Sequence, residues 1–189
     1  MIRRLLFTIL SVVLVTTGTV GLVQAPANAA LPSKSKWLAD VDAAMTGSWK
    51  YVDSRVAQGG TKLAINFDID NTSLATHYDW GKPVGRTLRF AKHARSKGVK
   101  LLFNTGRLSG DGRLLRARRQ LERAGYVVTH MCGRRQGEDL LASKQRCRQH
   151  FIDEGWTLIA NVGNRPTDLA GAQNYGRGYK LPDYNKQLA

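Results

Sequence analysis

Leu63-Ala64-Ile65-Asn66-Phe67-Asp68-Ile69-Asp70-Asn71-Thr72 is the stretch on which the fold turns. Its first five residues form a short, mostly apolar run, the composition of a strand buried on both faces. Two carboxylates follow at once, separated by an isoleucine. At a strand tip desolvation makes unpaired carboxylates costly, so Asp68 and Asp70 call for a cation or hydrogen-bond donors nearby. The plainer reading of the same pattern is a pair of acids that cap the next turn.

Working outward, strand-like and helix-like segments alternate. The periodicity predicts a helix at 84–97, a strand at 99–103, a helix at 113–124 and a strand at 126–129. A helix at 138–153, a strand at 157–162 and a helix at 166–175 complete the series. Such alternation implies an α/β fold: a three-layer α/β/α, Rossmann-like parallel sheet with helices on both sides. Upstream, Leu38, Val41, Met45, Trp49, Val52 and Val56 recur at helical steps interrupted near Gly47, which predicts one or two amphipathic helices over 30–60 that brace the 61–189 domain. Ligands of such sheets bind beyond the carboxyl ends of the strands, so residues just after Phe67, Phe103 and Val162 should converge.

Three further segments carry chemistry. Leu101-Leu102-Phe103-Asn104-Thr105-Gly106-Arg107 repeats the apolar strand that ends in polar residues and a glycine. It would make a phosphate cradle of a hydroxyl and backbone amides, or an ordinary turn. Leu140, Lys144, Cys147 and Phe151 share one helical stripe, which points the Lys144 ammonium at the sheet and requires a negative partner there, unless it snorkels out beside Leu140. Ile159-Ala160-Asn161-Val162-Gly163-Asn164-Arg165-Pro166-Thr167-Asp168 supplies a third strand tip with an amide, a guanidinium and a carboxylate. Asp168 either completes an oxygen-ligand set for a hard cation or stabilises the first turn of the helix opened by Pro166.

The amino terminus reads as an export signal. Arg3 and Arg4 precede an uncharged stretch from Leu5 to Val23, and Ala27-Asn28-Ala29 supplies small residues for cleavage after Ala29, with an uncleaved anchor as the rival. Without 1–29 the 29 basic residues become 27 against 14 acidic ones, a net charge of 27 − 14 = +13. Anionic partners suit that excess, as does simple solubility. Cys132 and Cys147 are the only cysteines. In an exported chain they predict a disulfide, and neither has neighbours at zinc-ligand spacing.

Taken in order, these four segments resemble the haloacid dehalogenase (HAD) superfamily of phosphohydrolases over roughly residues 62–182. The run from Lys144 through Gly155-Trp156 to Asp168-Leu169-Ala170-Gly171 is similar to its secreted acid phosphatases, subfamily IIIB. Gly163-Asn164-Arg165-Pro166-Thr167-Asp168 is also similar to the matching motif of lipin-type phosphatidate phosphatases. The resemblance implies an exported magnesium-dependent phosphomonoesterase in which Asp68 is the nucleophile, Asp70 the general acid and base, Thr105 a donor to the phosphoryl group and Lys144 a balancing charge. Asp68, Asp168, Asn164 and the backbone carbonyl of Asp70 would hold Mg2+, while Asn71, Gly106, Arg107 and Arg165 would meet the substrate. Many relatives carry Asp at the position of Asn164, so this metal site has one charge fewer.

Both gaps that could house a cap are short, so an open site is expected, with His77, Tyr78, Asp79 and Trp80 forming either a flap or a plain surface loop. Arg107, Arg113, Arg116, Arg118, Arg119, Arg134 and Arg135 would border its mouth or form a solvated face. At the mouth they would favour an anionic polymer or lipid headgroup beside a small phosphomonoester. A non-catalytic envelope protein that binds anions on the same fold is the reading from another class, and dehalogenation the other enzyme reading.

Overall fold

The computed structural model describes residues 30–188, and the expected leader at 1–29 lies outside them. The strands are β1 (Leu63–Phe67), β2 (Lys100–Leu108), β3 (His130–Arg134), β4 (Thr157–Gly163) and β5 (Arg177–Lys180). They form one parallel sheet of order β3-β2-β1-β4-β5. The strand that ends at the aspartate pair is therefore central, flanked by the two other strands expected to carry chemistry.

Side chains of a strand alternate between faces, and here the two faces meet different partners. Ile65, Phe67, Leu101 and Phe103 join the larger core with α1 (Lys34–Ala44), α2 (Ser48–Ala57), α3 (Gly85–Ser96) and α4 (Arg113–Arg123). Ala64, Leu102 and Leu158 join a smaller cluster with Cys147 and Phe151 of α5 (Leu140–Asp153). The expected three layers follow from this split. The upstream helices break at Gly47, whose φ of 74° suits a residue without a Cβ, and they bury Trp37, Val41, Met45 and Val52 in the larger core.

Three expectations are corrected. The strand predicted at 126–129 begins later, at His130, because Gly125 takes a left-handed φ of 95° and the Tyr126 amide donates back to Leu121 O. Tyr126 thus belongs to the cap of α4, although its ring and Val128 stay buried. The strand predicted at 99–103 runs on to Leu108, its pairing with β3 shifting between Thr105 and Leu108. Thr105, Gly106 and Arg107 are therefore presented from an irregular strand end.

The helix predicted at 166–175 stops at Leu169, as α6 (Pro166–Leu169). Its carbonyls are claimed from elsewhere: Asn161 Nδ2 and Arg148 Nη1 donate to Asp168 O, and Arg148 Nη2 donates to Ala170 O. With those acceptors used and Gly171 at a φ of 86°, the helix cannot propagate. The chain then returns as β5, the edge strand beside β4.

Candidate active site

Lys144, on the sheet-facing stripe of α5, is 2% exposed and its Nζ lies 2.5 Å from Asp68 Oδ1, 2.7 Å from Asp168 Oδ1 and 2.7 Å from Asn104 O. The snorkelling alternative is thereby excluded. Two buried carboxylates share one ammonium. Burial pushes the Asp68 carboxyl well above its ordinary range, the Asp168 charge pushes the same way, and the Lys144 charge opposes both. Burial also pulls the Lys144 ammonium down, but the charges of Asp68 and Asp168 outweigh it and hold it above its usual value.

Asp70 has a different environment. Arg107 grips both its oxygens, Nε to Oδ2 at 2.9 Å and Nη2 to Oδ1 at 2.6 Å, and Thr76 Oγ1 adds a hydrogen bond of 2.7 Å. Burial works to raise this carboxyl, yet the Arg107 hydrogen bonds and charge prevail and hold it below the ordinary range. Arg107 Nη1 is in turn held by Gln120 Oε1 at 2.6 Å. The residue expected on the substrate is thus latched to the neighbouring acid.

The remaining expected residues divide between cavity wall and scaffold. Asp68, Asp70, Gly106, Arg107, Lys144, Asn164 and Arg165 all line a cavity of about 350 Å³. Thr105 is fully buried and accepts the Arg107 amide on Oγ1. Asn71 sits at a φ of 52°, a left-handed conformation that asparagine tolerates, and accepts the His77 amide on Oδ1, which shapes the loop after the aspartate pair. Asn164 donates through Nδ2 to Leu188 O and accepts from Thr72 Oγ1 at 3.4 Å. Asp168 accepts the Arg165 amide on Oδ2. A Cβ at position 163 would come within 2.3 Å of the Asp168 Cβ, so only glycine lets this carboxylate lie against the end of β4.

Sequence reasoning passed over a row of buried amides. Asn66 Nδ2 donates to Asn161 Oδ1, Asn161 Nδ2 to Asp168 O, and Asn104 Nδ2 to Lys144 O. Each asparagine interrupts an otherwise apolar strand near its tip, which was the available signal, since a buried amide demands partners. Thr76, which also lines the cavity, had no such mark, whereas Arg134, one of the arginines expected at the mouth, does line it. Nor does the 77–80 loop hang free. Tyr78 stacks on Trp37 and donates to Pro32 O, while Asp79 pairs with Lys34 at 2.7 Å. Of the four, His77 and Trp80 are exposed, Trp80 at 69%.

The expected Cys132–Cys147 disulfide is formed, tying β3 to the helix turn that follows Lys144. Among the described residues no three His, Cys, Asp or Glu side chains gather as a ready metal cluster. The expected set is of another kind, two carboxylates with an amide and a backbone carbonyl. It suits a hard cation: the ion pair leaves Asp68 and Asp168 with one cation between two negative charges.

Comparison with known proteins bears on the family and the fold. Residues 76–187, more than half of the chain, match the family model described as HAD superfamily, subfamily IIIB (acid phosphatase). That match begins downstream of Asp68 and Asp70. The fold is similar to that of the class C acid phosphatase from Bacillus anthracis, at 19% identity and a TM-score of 0.57, covering 74% of this chain and 67% of that one. The same enzyme with tungstate bound gives 18% identity and a TM-score of 0.56 with equal coverage. No curated protein matches the chain.

Proposed function

Because the chain belongs to the acid phosphatases of HAD superfamily subfamily IIIB and is thus a phosphomonoesterase, we propose that it is an exported, magnesium-dependent enzyme working through an aspartyl-phosphate on Asp68. The observation that carries this reading is the buried Asp68, set beside Lys144 and Asp168 on the wall of a cavity that also presents Asp70 two residues on. The leader-like 1–29 and the Cys132–Cys147 disulfide support export, since such bridges persist in oxidising compartments.

An Asp68 carboxylate oxygen attacks phosphorus, forming the acyl phosphate as the ester P–O bond breaks, so one hard displacement becomes two easier ones. Asp70 gives its proton to the departing alkoxide. It then takes a proton from the water that attacks the phosphoryl group, which releases inorganic phosphate and restores Asp68. Lys144 and the amides around Thr105, Gly106 and Arg107 offset charge on the phosphoryl oxygens. Arg165 steers the incoming phosphate from the cavity wall. Asp68, Asp168, Asn164 and the Asp70 carbonyl would hold Mg2+, which when bound supplies further charge neutralisation. The Arg107 grip must open before Asp70 can hold a proton, and an arriving phosphate competes for the same guanidinium.

Hydrolysis of an aryl phosphate by wild type and Asp68→Asn, with and without magnesium, tests the reading. The variant should lose turnover by several orders of magnitude, and wild type should lose it on chelation. Equal rates for the two proteins would sink the assignment.

A further inference from the structure

Beside the catalytic cavity lies a second of about 450 Å³, and the two share Gly106, Arg107 and Arg134. Arg113 and Arg116 complete its basic wall, Trp80 and Leu108 its apolar one, and no carboxylate lines it. These guanidinia are poorly spent. Arg113 makes no ion pair or side-chain hydrogen bond among the described residues, Arg116 reaches only the Asp111 carbonyl, and the Arg134 Nε is buried with no hydrogen-bond partner. Arg113 and Arg116 are exposed and keep their water, but three guanidinia gathered without a counter-charge repel one another and the buried Arg134 Nε lacks an acceptor, and an anion would relieve both.

A guanidinium presents a planar fork that matches phosphate bidentately. Since Arg134 borders both cavities, a molecule lying across them would meet it between its two ends. We propose that the second cavity is a subsite for a second phosphate group on the leaving portion of the substrate, so that the preferred substrates are small bisphosphorylated molecules with an organic spacer running past Trp80 and Leu108. The inference rests on the phosphatase reading above and adds its substrate class.

The test compares monophosphates and bisphosphates of alkanediols of graded length, in wild type and in Arg113→Ala/Arg116→Ala. In wild type kcat/KM should favour the bisphosphate of the best length by about tenfold, the factor one charge-assisted hydrogen-bond pair commonly supplies. In the variant the ratio should fall towards one, and added salt should erode it in wild type alone. A wild-type ratio near one, or a ratio that survives both substitutions, overturns the inference while leaving the phosphatase reading intact. So does faster turnover of a 5′-phosphorylated oligonucleotide than of any bisphosphate, which would assign the basic wall to a polymer. If no phosphomonoester is turned over, calorimetric binding of the same pairs to Asp68→Asn still decides, and equal affinities there overturn the subsite.

Discussion

Arg107 holds Asp70 by both carboxylate oxygens, at 2.9 and 2.6 Å, and this grip opposes the effect of burial on the same carboxyl. In Arg107→Ala only the Thr76 hydrogen bond and the Lys144 charge would oppose burial, and the Asp70 pKa would rise. A general acid with a higher pKa keeps its proton to higher pH, so the alkaline limb of the kcat/KM profile, which reports the free enzyme, should move upward while KM increases. An unmoved limb would show that Arg107 does not set the proton affinity of Asp70.

Lys144→Met leaves Asp68 and Asp168 facing each other in a dry site. Removing one partner of a buried ion network costs about 3–5 kcal/mol, so urea unfolding without divalent metal should show a loss of that order. Magnesium should restore part of it by binding the folded form. A loss below about 1 kcal/mol, the range of exposed pairs, would mean that the carboxylates find other compensation.

Asp68→Asn should separate stability from activity. The folded-state pKa of Asp68 is raised, so the metal-free folded chain keeps a proton that the unfolded chain has released. Wild-type stability therefore falls as pH climbs above the ordinary carboxylate value of 3.8. The variant lacks that slope and should melt above wild type at neutral pH without metal, while turning over no substrate. Parallel melting curves across pH would contradict this.

Glu138 offers the opposite sign. The Arg146 side chain holds its carboxyl down from 4.5 to about 2 against a smaller push from burial. That stability is present above the unfolded value and is lost as pH falls through the folded one. Acid melts of Glu138→Gln between about pH 4.5 and pH 2 should be flatter than those of wild type.

Reducing Cys132–Cys147 removes a link spanning 15 residues of chain, worth about 3 kcal/mol by loop-closure entropy. Because Cys147 follows Lys144 by one helical turn, the melting temperature and the activity should fall together under reductant. Activity that outlasts the drop in melting temperature would detach the bridge from the position of Lys144.

Much of this architecture was written in local pattern. The 63–67 strand, the break at Gly47, and the helix stripe that carries Lys144 inward all follow from periodicity, and they place Asp68, Lys144 and Asp168 together. What escaped was set by tertiary hydrogen bonds. Arg148, wholly buried, ends α6 by claiming carbonyls 20 and 22 residues away in sequence, and no local feature of 166–175 announces that. The apolar 126–128 run looks more like a strand than His130–Arg134 does, yet the cap of α4 claims Tyr126 first. The latch of Arg107 on Asp70 joins positions 37 apart, so neither motif alone could reveal it.

The buried amides of Asn66 and Asn161 also act as an alignment key. If β1 slipped by one residue against β4, Asn66 would turn to the opposite face, where Ile65 and Phe67 now pack, and the Asn161 amide would lose its partner. A purely aliphatic sheet centre would tolerate such misregistration more cheaply. By penalising every offset but one, two uncharged side chains fix how far β1 and β4 extend relative to each other, and with that the gap between the carboxylates of Asp68 and Asp168.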